Sequence, residues 1–355
     1  MVEAVESREI VLSEEEWFPV DDGTKLYLRR WIPLAEEKNK KLEDRGKRAG
    51  SPKTRGILHI VHGMAEYGNR YGISAKRLCE QGIEVWAADL RGHGKTADPR
   101  VNDPGKGGLI GHCRDQDSIT WILSDIKRIN NYIREVHPDL PLFILGHSWG
   151  SFLVQAYIQE HGQDLAGCIL SGSRGPGSFK IQLAIPFLQA IAGMRGIRNG
   201  SSLSFHLVNG SYQNIFKPKR TKFDWLSRDE KMVDEFVRDP LCGNLSSSGF
   251  YRDMLEMLFR IHKPQALARI PKDLPIYVFS GNMDPVGEMG TSPTRLVEAL
   301  KLQNVEDLEF VLYPGARHET LNETNREEVI GDLIAWIDKH SASKGKSLVS
   351  KGGPR

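Results

Sequence analysis

Gly146-His147-Ser148-Trp149-Gly150 sets a serine between two glycines, directly after the apolar run Leu142 to Leu145 and ahead of a helical stretch. A serine at such a strand-to-helix turn is held in a strained backbone conformation with its hydroxyl above the sheet, and neighbours without side chains let the helix pack close. That arrangement suits a nucleophile. The hydroxyl is weakly acidic, so it needs a base within hydrogen-bond reach, and an imidazole base needs a carboxylate to fix its tautomer and stabilise its charged form. Both residue types follow in chain order. Pro275 to Ser280 is a short β-branched and apolar run ended by Gly281-Asn282-Met283-Asp284-Pro285, which puts Asp284 in the loop after a strand. Leu308 to Tyr313 is the next such run, and His318 follows its Pro314-Gly315 terminator. The expected roles are Ser148 as nucleophile, His318 as base and then acid, and Asp284 as the group that orients His318.

Charge that develops on a tetrahedral intermediate needs fixed donors, one from the residue after the nucleophile and one from the loop after an early strand. Ile57 to Val61 is that strand and His62-Gly63-Met64 ends it, so the backbone N–H groups of Met64 and Trp149 are the expected donors. The stretch His62-Gly63-Met64-Ala65-Glu66-Tyr67-Gly68-Asn69-Arg70-Tyr71 resembles the H-G-x-x-E-H-x-x-R-Y signature of the monoacylglycerol lipase and lysophospholipase-like branch of the α/β-hydrolases, which is also grouped with the serine aminopeptidase-like hydrolases. Asp89-Leu90-Arg91-Gly92-His93-Gly94-Lys95-Thr96 is similar to the D-x-R-G-H-G-x-S turn of the same branch. The resemblance is collinear from about residue 17 to about residue 340. Two positions depart from it: Tyr67 stands where the branch usually has histidine, and Thr96 where it usually has serine. Neither belongs to the expected triad, so the departures bear on the pocket and not on the reaction. Glu66 and Arg91 are expected to brace the loops near the donors.

The resemblance implies an α/β-hydrolase fold: eight mostly parallel strands, helices on both faces, and an inserted helical cap. Residues 1–172 and 273–340 would form the core, 173–272 the cap, and 341–355 a disordered tail. It further implies carboxylic ester hydrolysis through an acyl-Ser148 intermediate, with monoacylglycerols or lysophospholipids as the substrate class. Other readings are an aminopeptidase of the proline iminopeptidase type, whose elbow Gly-x-Ser-Trp-Gly-Ser resembles, a small-ester carboxylesterase, and a non-catalytic protein that keeps the fold. The cap shows no acidic cluster dedicated to a substrate amine, and a non-catalytic relative usually loses a triad member. Dehalogenase chemistry is disfavoured, because its nucleophile would be an aspartate where Ser148 stands.

The elements that must position these residues read as follows. Glu9 to Leu12 and Lys25 to Trp31 suit two opening antiparallel strands around the turn Asp21-Asp22-Gly23. Residues 36–55 are polar, lack apolar periodicity, and read as a solvated loop, with docking on anionic lipid as the sharper alternative. Val85 to Asp89 and Cys168 to Leu170 read as buried strands. Ile119, Ile122, Ile126, Ile129 and Ile133 recur at steps of three and four, the core face of a long helix. Further helices are expected at 150–160, 292–303 and about 325–339. Between Ser173 and Lys272 the alternation fails. There the apolar stretch Ile181 to Met194 and a helix at Tyr251 to Ile261 would lie over the serine, and Phe187, Leu188, Met254 and Leu258 are the expected acyl-chain contacts. Packing of the cap onto the sheet is the alternative for these four.

Composition agrees. A chain of 355 residues, 39% hydrophobic and 26% charged, can bury one large α/β core without stapling. A formal net charge of +2 does not point to nucleic acid. Cys79, Cys113, Cys168 and Cys242 are widely spaced, which suits reduced thiols in a cytoplasmic protein. The N-terminal residues lack the pattern of a signal peptide, and no run reaches the roughly 18 apolar residues of a membrane span, so membrane association would be peripheral. His62, His93, His112 and His147 sit on separate loops without metal-ligand spacing, and no metal or other cofactor is expected. Oligomeric state has no signature in the chain.

Overall fold

The computed structural model describes residues 11–34, 54–177, 179–210 and 212–341. The loop expected at 36–55 and the tail expected at 341–355 lie outside these residues except at their ends. Eight strands form one sheet: β1 (Val11–Pro19), β2 (Lys25–Pro33), β3 (Gly56–Val61), β4 (Ile83–Asp89), β5 (Leu142–His147), β6 (Gly167–Ser171), β7 (Ile276–Gly281) and β8 (Leu308–Tyr313). Their order is β1-β2-β4-β3-β5-β6-β7-β8. The β1–β2 and β2–β4 pairs are antiparallel and every other pair is parallel. Strands β3 to β7 are buried along their whole length, as central parallel strands covered on both faces must be, and this explains their runs of Ile, Val, Leu and Phe.

Ten helices accompany the sheet among the described residues: α1 (Gly72–Glu80), α2 (Ser118–Val136), α3 (Trp149–His161), α4 (Phe179–Arg195), α5 (Ser202–Asn209), α6 (Glu230–Arg238), α7 (Ser248–Ile261), α8 (Pro264–Leu267), α9 (Thr291–Leu302) and α10 (Arg326–Ser341). One face of the sheet is covered by α2, α3, α7 and α9, and the other by α1 and α10. The five isoleucines of α2 are all buried, as their spacing predicts. Helices α4 to α8 all lie in the excursion between β6 and β7, where α4 packs on α7 and α7 on α3. None of the helices is long and apolar enough to cross a membrane.

Two differences from the sequence reading have local causes. Among the described residues the first strand runs over Val11–Pro19, well past the expected end at Leu12, because its polar middle is an edge rung: Glu14 stands opposite Arg30 and Glu15 opposite Arg29, with Arg29 Nε donating to Glu15 Oε1 at 2.9 Å. An edge strand held by backbone pairing and cross-strand charge shows no apolar alternation. Helix α1 is short and starts at Gly72, directly after a 3-10 turn at Gly68–Tyr71, so its helical period is hidden behind loop-forming residues.

Candidate active site

Ser148 sits between the end of β5 and the first residue of α3, with φ 52° and ψ −122°. That left-handed region is costly for a residue with a side chain, and the turn is imposed by its surroundings. The Ser148 N–H donates to Ser171 O at 2.9 Å, and Ser151 N–H donates to Ser148 O at 2.9 Å. A Cβ on Gly146 would fall within 3.0 Å of the Gly150 backbone, and one on Gly150 within 3.0 Å of the carbonyl groups of Val61 and His62. Both glycines are therefore required by the close approach of α3 to the strands.

Asp284 and His318 lie just past the C-terminal ends of β7 and β8, on the same edge of the sheet as Ser148. Asp284 is fully buried and fully engaged. Its Oδ1 accepts from Val286 N at 2.8 Å, and its Oδ2 accepts from Ser280 Oγ at 3.1 Å and from His318 Nδ1 at 2.9 Å. The last bond places the neutral imidazole proton on Nδ1 and leaves Nε2 as the basic nitrogen. Burial works against the His318 imidazolium, but the Asp284 carboxylate and its hydrogen bond outweigh that cost and raise the pKa above the ordinary 6.5. Met64 borders the same space, and Trp149 follows Ser148 as the first residue of α3.

Above Ser148 and His318 lies a narrow cavity of about 50 Å³, walled on the core side by Gly63, Met64 and Glu66. The excursion between β6 and β7 supplies the other wall through Phe205, Phe223, Trp225, Leu226, Phe236 and Tyr251. The Trp225 ring is 5.2 Å from that of His318, and Glu319 N donates to Leu226 O at 2.7 Å. Arg228 is paired with Glu323 at 2.9 Å, so this segment is latched to the loop that carries His318.

The four residues expected to contact an acyl chain are placed elsewhere. Phe187 is 52% exposed, while Leu188, Met254 and Leu258 are buried in the packing of α4 and α7 onto the sheet layer. None of them lines the cavity. An apolar helix laid on another helix spends its apolar face on packing, and the aromatic side chains that reach Ser148 come mostly from α5, α6 and the irregular stretch around Trp225.

His62, His93, His112 and His147 each bond a separate partner through a ring nitrogen, and His93 Nε2 is left without one. His62 accepts from Leu90 N and donates to Gly63 O, His93 donates to Arg91 O, and His112 and His147 bond Ser247 and Ser171. Among the described residues, three metal-type side chains converge at Asp307, Glu309 and His340, with ligand atoms within 4.8 Å. That cluster is at the opposite, N-terminal end of β8, and Lys339 already pairs with Glu309 there. Arg91 is buried between Asp22 and Asp125, bracing the turn after β4.

The eight-stranded sheet with its sharp turn at Ser148 defines an α/β-hydrolase. The Hydrolase_4 family, described as serine aminopeptidase S33, matches residues 52–325, and the chain belongs to it. The chain is similar to the monoacylglycerol lipase of Mycolicibacterium smegmatis, with 28% identity over 288 residues that span 81% of this chain and 89% of the relative. It is similar to the human monoglyceride lipase, with 23% identity over 336 residues, 91% of this chain and 90% of the relative. A thermostable carboxyl esterase from Bacillus coagulans, solved in complex with glycerol, superposes with a TM-score of 0.78 and 26% identity, covering 93% of this chain and 99% of the esterase.

Proposed function

We propose that this protein is a serine hydrolase that cleaves carboxylic esters of apolar acyl chains, in the monoacylglycerol or lysophospholipid class. The observation that carries the reading is the aromatic cavity lying over Ser148 beside a histidine paired at 2.9 Å with a buried aspartate. In this reading Ser148 Oγ attacks the ester carbonyl while His318 Nε2 takes its proton. The oxyanion is held by the Met64 and Trp149 N–H groups. The alcohol leaves with the proton from His318, and water repeats the sequence on the acyl-serine. Asp284 stabilises the transient imidazolium, consistent with the raised pKa of His318. No step draws on a cofactor.

The lipase and esterase relatives support an ester substrate. The family description favours a second reading, aminopeptidase action. The acidic groups on the cavity wall are Glu66 and Glu319, and both are engaged by Arg70, which argues against their capturing a substrate amine. In the proposed organisation residues 173–272 form a cap on a core of 1–172 and 273–340. The cap exposes Phe187, Met194, Leu203 and Leu207, which supports peripheral contact with a lipid surface. Four free, buried cysteines suit a reducing cytoplasm.

The test is labelling with a fluorophosphonate together with a substrate panel of p-nitrophenyl esters, monoacylglycerol, lysophosphatidylcholine and proline-naphthylamide. Stoichiometric labelling should map to Ser148 and vanish in Ser148→Ala. Labelling that survives this substitution, or a preference for proline-naphthylamide over every ester, would overturn the proposal.

A further inference from the structure

Three buried charged groups meet on the cavity wall beside the Gly63-Met64 loop. Glu66 Oε1 accepts the Gly63 N–H at 2.5 Å and the Tyr71 O–H at 2.8 Å, and Glu66 Oε2 lies 3.3 Å from Arg70 Nε. Arg70 Nη2 donates to Glu319 Oε2, which also accepts from Asn322 Nδ2 at 3.0 Å. The side chains of Glu66, Arg70 and Glu319 are 4%, 9% and 6% exposed. Glu319 is the residue after His318. The cluster therefore links the loop after β3 to the loop after β8, the two segments that must keep their spacing if a carbonyl is to meet both Met64 and His318.

One guanidinium serves two carboxylates here, and two buried carboxylates that share a site do not both ionise freely. Burial pushes the Glu66 carboxyl up to about 7, Arg70 opposing the rise and Glu319 adding to it. The other groups that face the cluster hold their charge state near neutrality. His147, at the end of β5, is kept uncharged by burial and by the neighbouring His318 and Arg70. Burial raises the hydroxyl of Tyr71, and the Cys242 thiol from the excursion is pushed up to about 12 by the same cause. His318 is the remaining ionisable group beside the cluster, its pKa raised because Asp284, Glu319 and Glu66 together outweigh the cost of its burial. Packing is tight as well: a Cβ on Gly63 would press on Glu66 Oε1, Ser148 Cβ and His147 Cδ2.

We propose that Glu66, held by Arg70 against Glu319, is a positioning residue: its carboxylate pins the Gly63 N–H, and so aims the Met64 N–H at the reacting carbonyl. This rests on the reading of Ser148 as nucleophile and Met64 as oxyanion donor. A hydrogen bond to an ionised acceptor is stronger and shorter than one to a neutral acceptor, so the loop is held best when Glu66 has lost its proton. Full activity then requires two deprotonations, at His318 and at Glu66.

The experiment is the pH dependence of kcat/KM for a soluble ester, with the fluorophosphonate labelling rate of Ser148 measured in parallel. In the wild type the acid limb of log kcat/KM should be steeper than a one-proton limb. Glu66→Gln keeps a carbonyl acceptor for Gly63 but removes the ionisation. Its limb should fall to one proton, and its plateau kcat and labelling rate should drop about tenfold at nearly unchanged KM, less than the roughly hundredfold or greater loss of deleting a donor. Glu319→Gln removes the like charge and leaves the Glu66 contacts in place, so its limb should move to lower pH. If Glu66→Gln does not fold, the steepness of the Glu319→Gln limb decides, because Glu319 also raises His318 and a shift alone does not implicate Glu66: a one-proton limb in that variant overturns the proposal. Absence of wild-type labelling at Ser148 would instead defeat the underlying reaction. Labelling at Ser148 with variant profiles that superimpose on the wild type in shape and plateau would defeat the positioning role only.

Discussion

Replacing Phe205 separates the cavity seen above Ser148 from the apolar surface that the excursion shows to solvent. Phe205 lines the cavity, whereas Phe187 is 52% exposed and away from it. Each methylene of substrate taken from water into an apolar wall contributes about 0.8 kcal/mol, or roughly fourfold in kcat/KM. For wild type we therefore expect kcat/KM for p-nitrophenyl esters to climb about fourfold per added methylene from acetate upward, and then to level once the cavity is filled. Phe205→Ala removes one aromatic wall. The slope should flatten to about half its value in free energy per methylene, while acetate hydrolysis stays within about threefold, since the triad and both backbone donors are untouched. Phe187→Ala should reproduce the wild-type slope. The assay is initial-rate hydrolysis below the micellar range of each ester, with urea unfolding to show that each variant is folded. A flat wild-type profile, or a Phe187→Ala profile that matches Phe205→Ala, would refute the assignment of the cavity as the acyl site.

Further expectations follow from buried geometry. Asp284→Asn presents an amide to His318 Nδ1 in place of a carboxylate, so kcat should fall on the order of 10⁴-fold with little change in stability; retention of a tenth of wild-type kcat would show that His318 is oriented by other groups. Gly150→Ala drives a Cβ into the carbonyl groups of Val61 and His62, and overpacking of this kind costs about 1–3 kcal/mol, read as a lower urea midpoint; an unchanged midpoint would contradict the close approach of α3 to β3. His59 and His93 are depressed to about 4 by burial, and His62 and His147 lie well below 6.5 for the same first cause. Stability from such groups is present above pH 6.5 and is lost as pH falls toward the folded pKa, on the order of 3 kcal/mol for each of His59 and His93. Glu66, Asp89, Asp125 and Asp253, raised by burial, and the raised His318 act in the opposite sense, but they are five against seven once the depressed His112, His161 and His262 are counted with the other four. The urea midpoint should therefore drop between pH 7 and pH 4.5, and a rise over that interval would exclude this balance.

Much of the fold was legible from the chain alone, because its signals are local. Runs such as Leu142 to Leu145 are apolar on both faces, which suits a strand covered on both sides, and the isoleucines of α2 keep a helical period over about four turns of contact with the sheet. The glycines around Ser148, and the breakers after β7 and β8, marked the loops at one edge of the sheet where Ser148, Asp284 and His318 stand. What the tertiary structure decided is the set of side chains that meet across long separations. Arg70 and Glu319 pair although they are 249 positions apart, and no period or spacing announces a second carboxylate beside Glu66. The cavity wall was decided in the same way. Ile181 to Met194 and Tyr251 to Ile261 carry the strongest apolar signals in the excursion, yet α4 and α7 spend their apolar faces on each other and on α3, where they exclude the most water. The residues left to face Ser148 are aromatic side chains from shorter or irregular segments, Phe205, Phe223 and Trp225, whose orientation is set by how the excursion packs on the sheet and not by any pattern in their own neighbourhood.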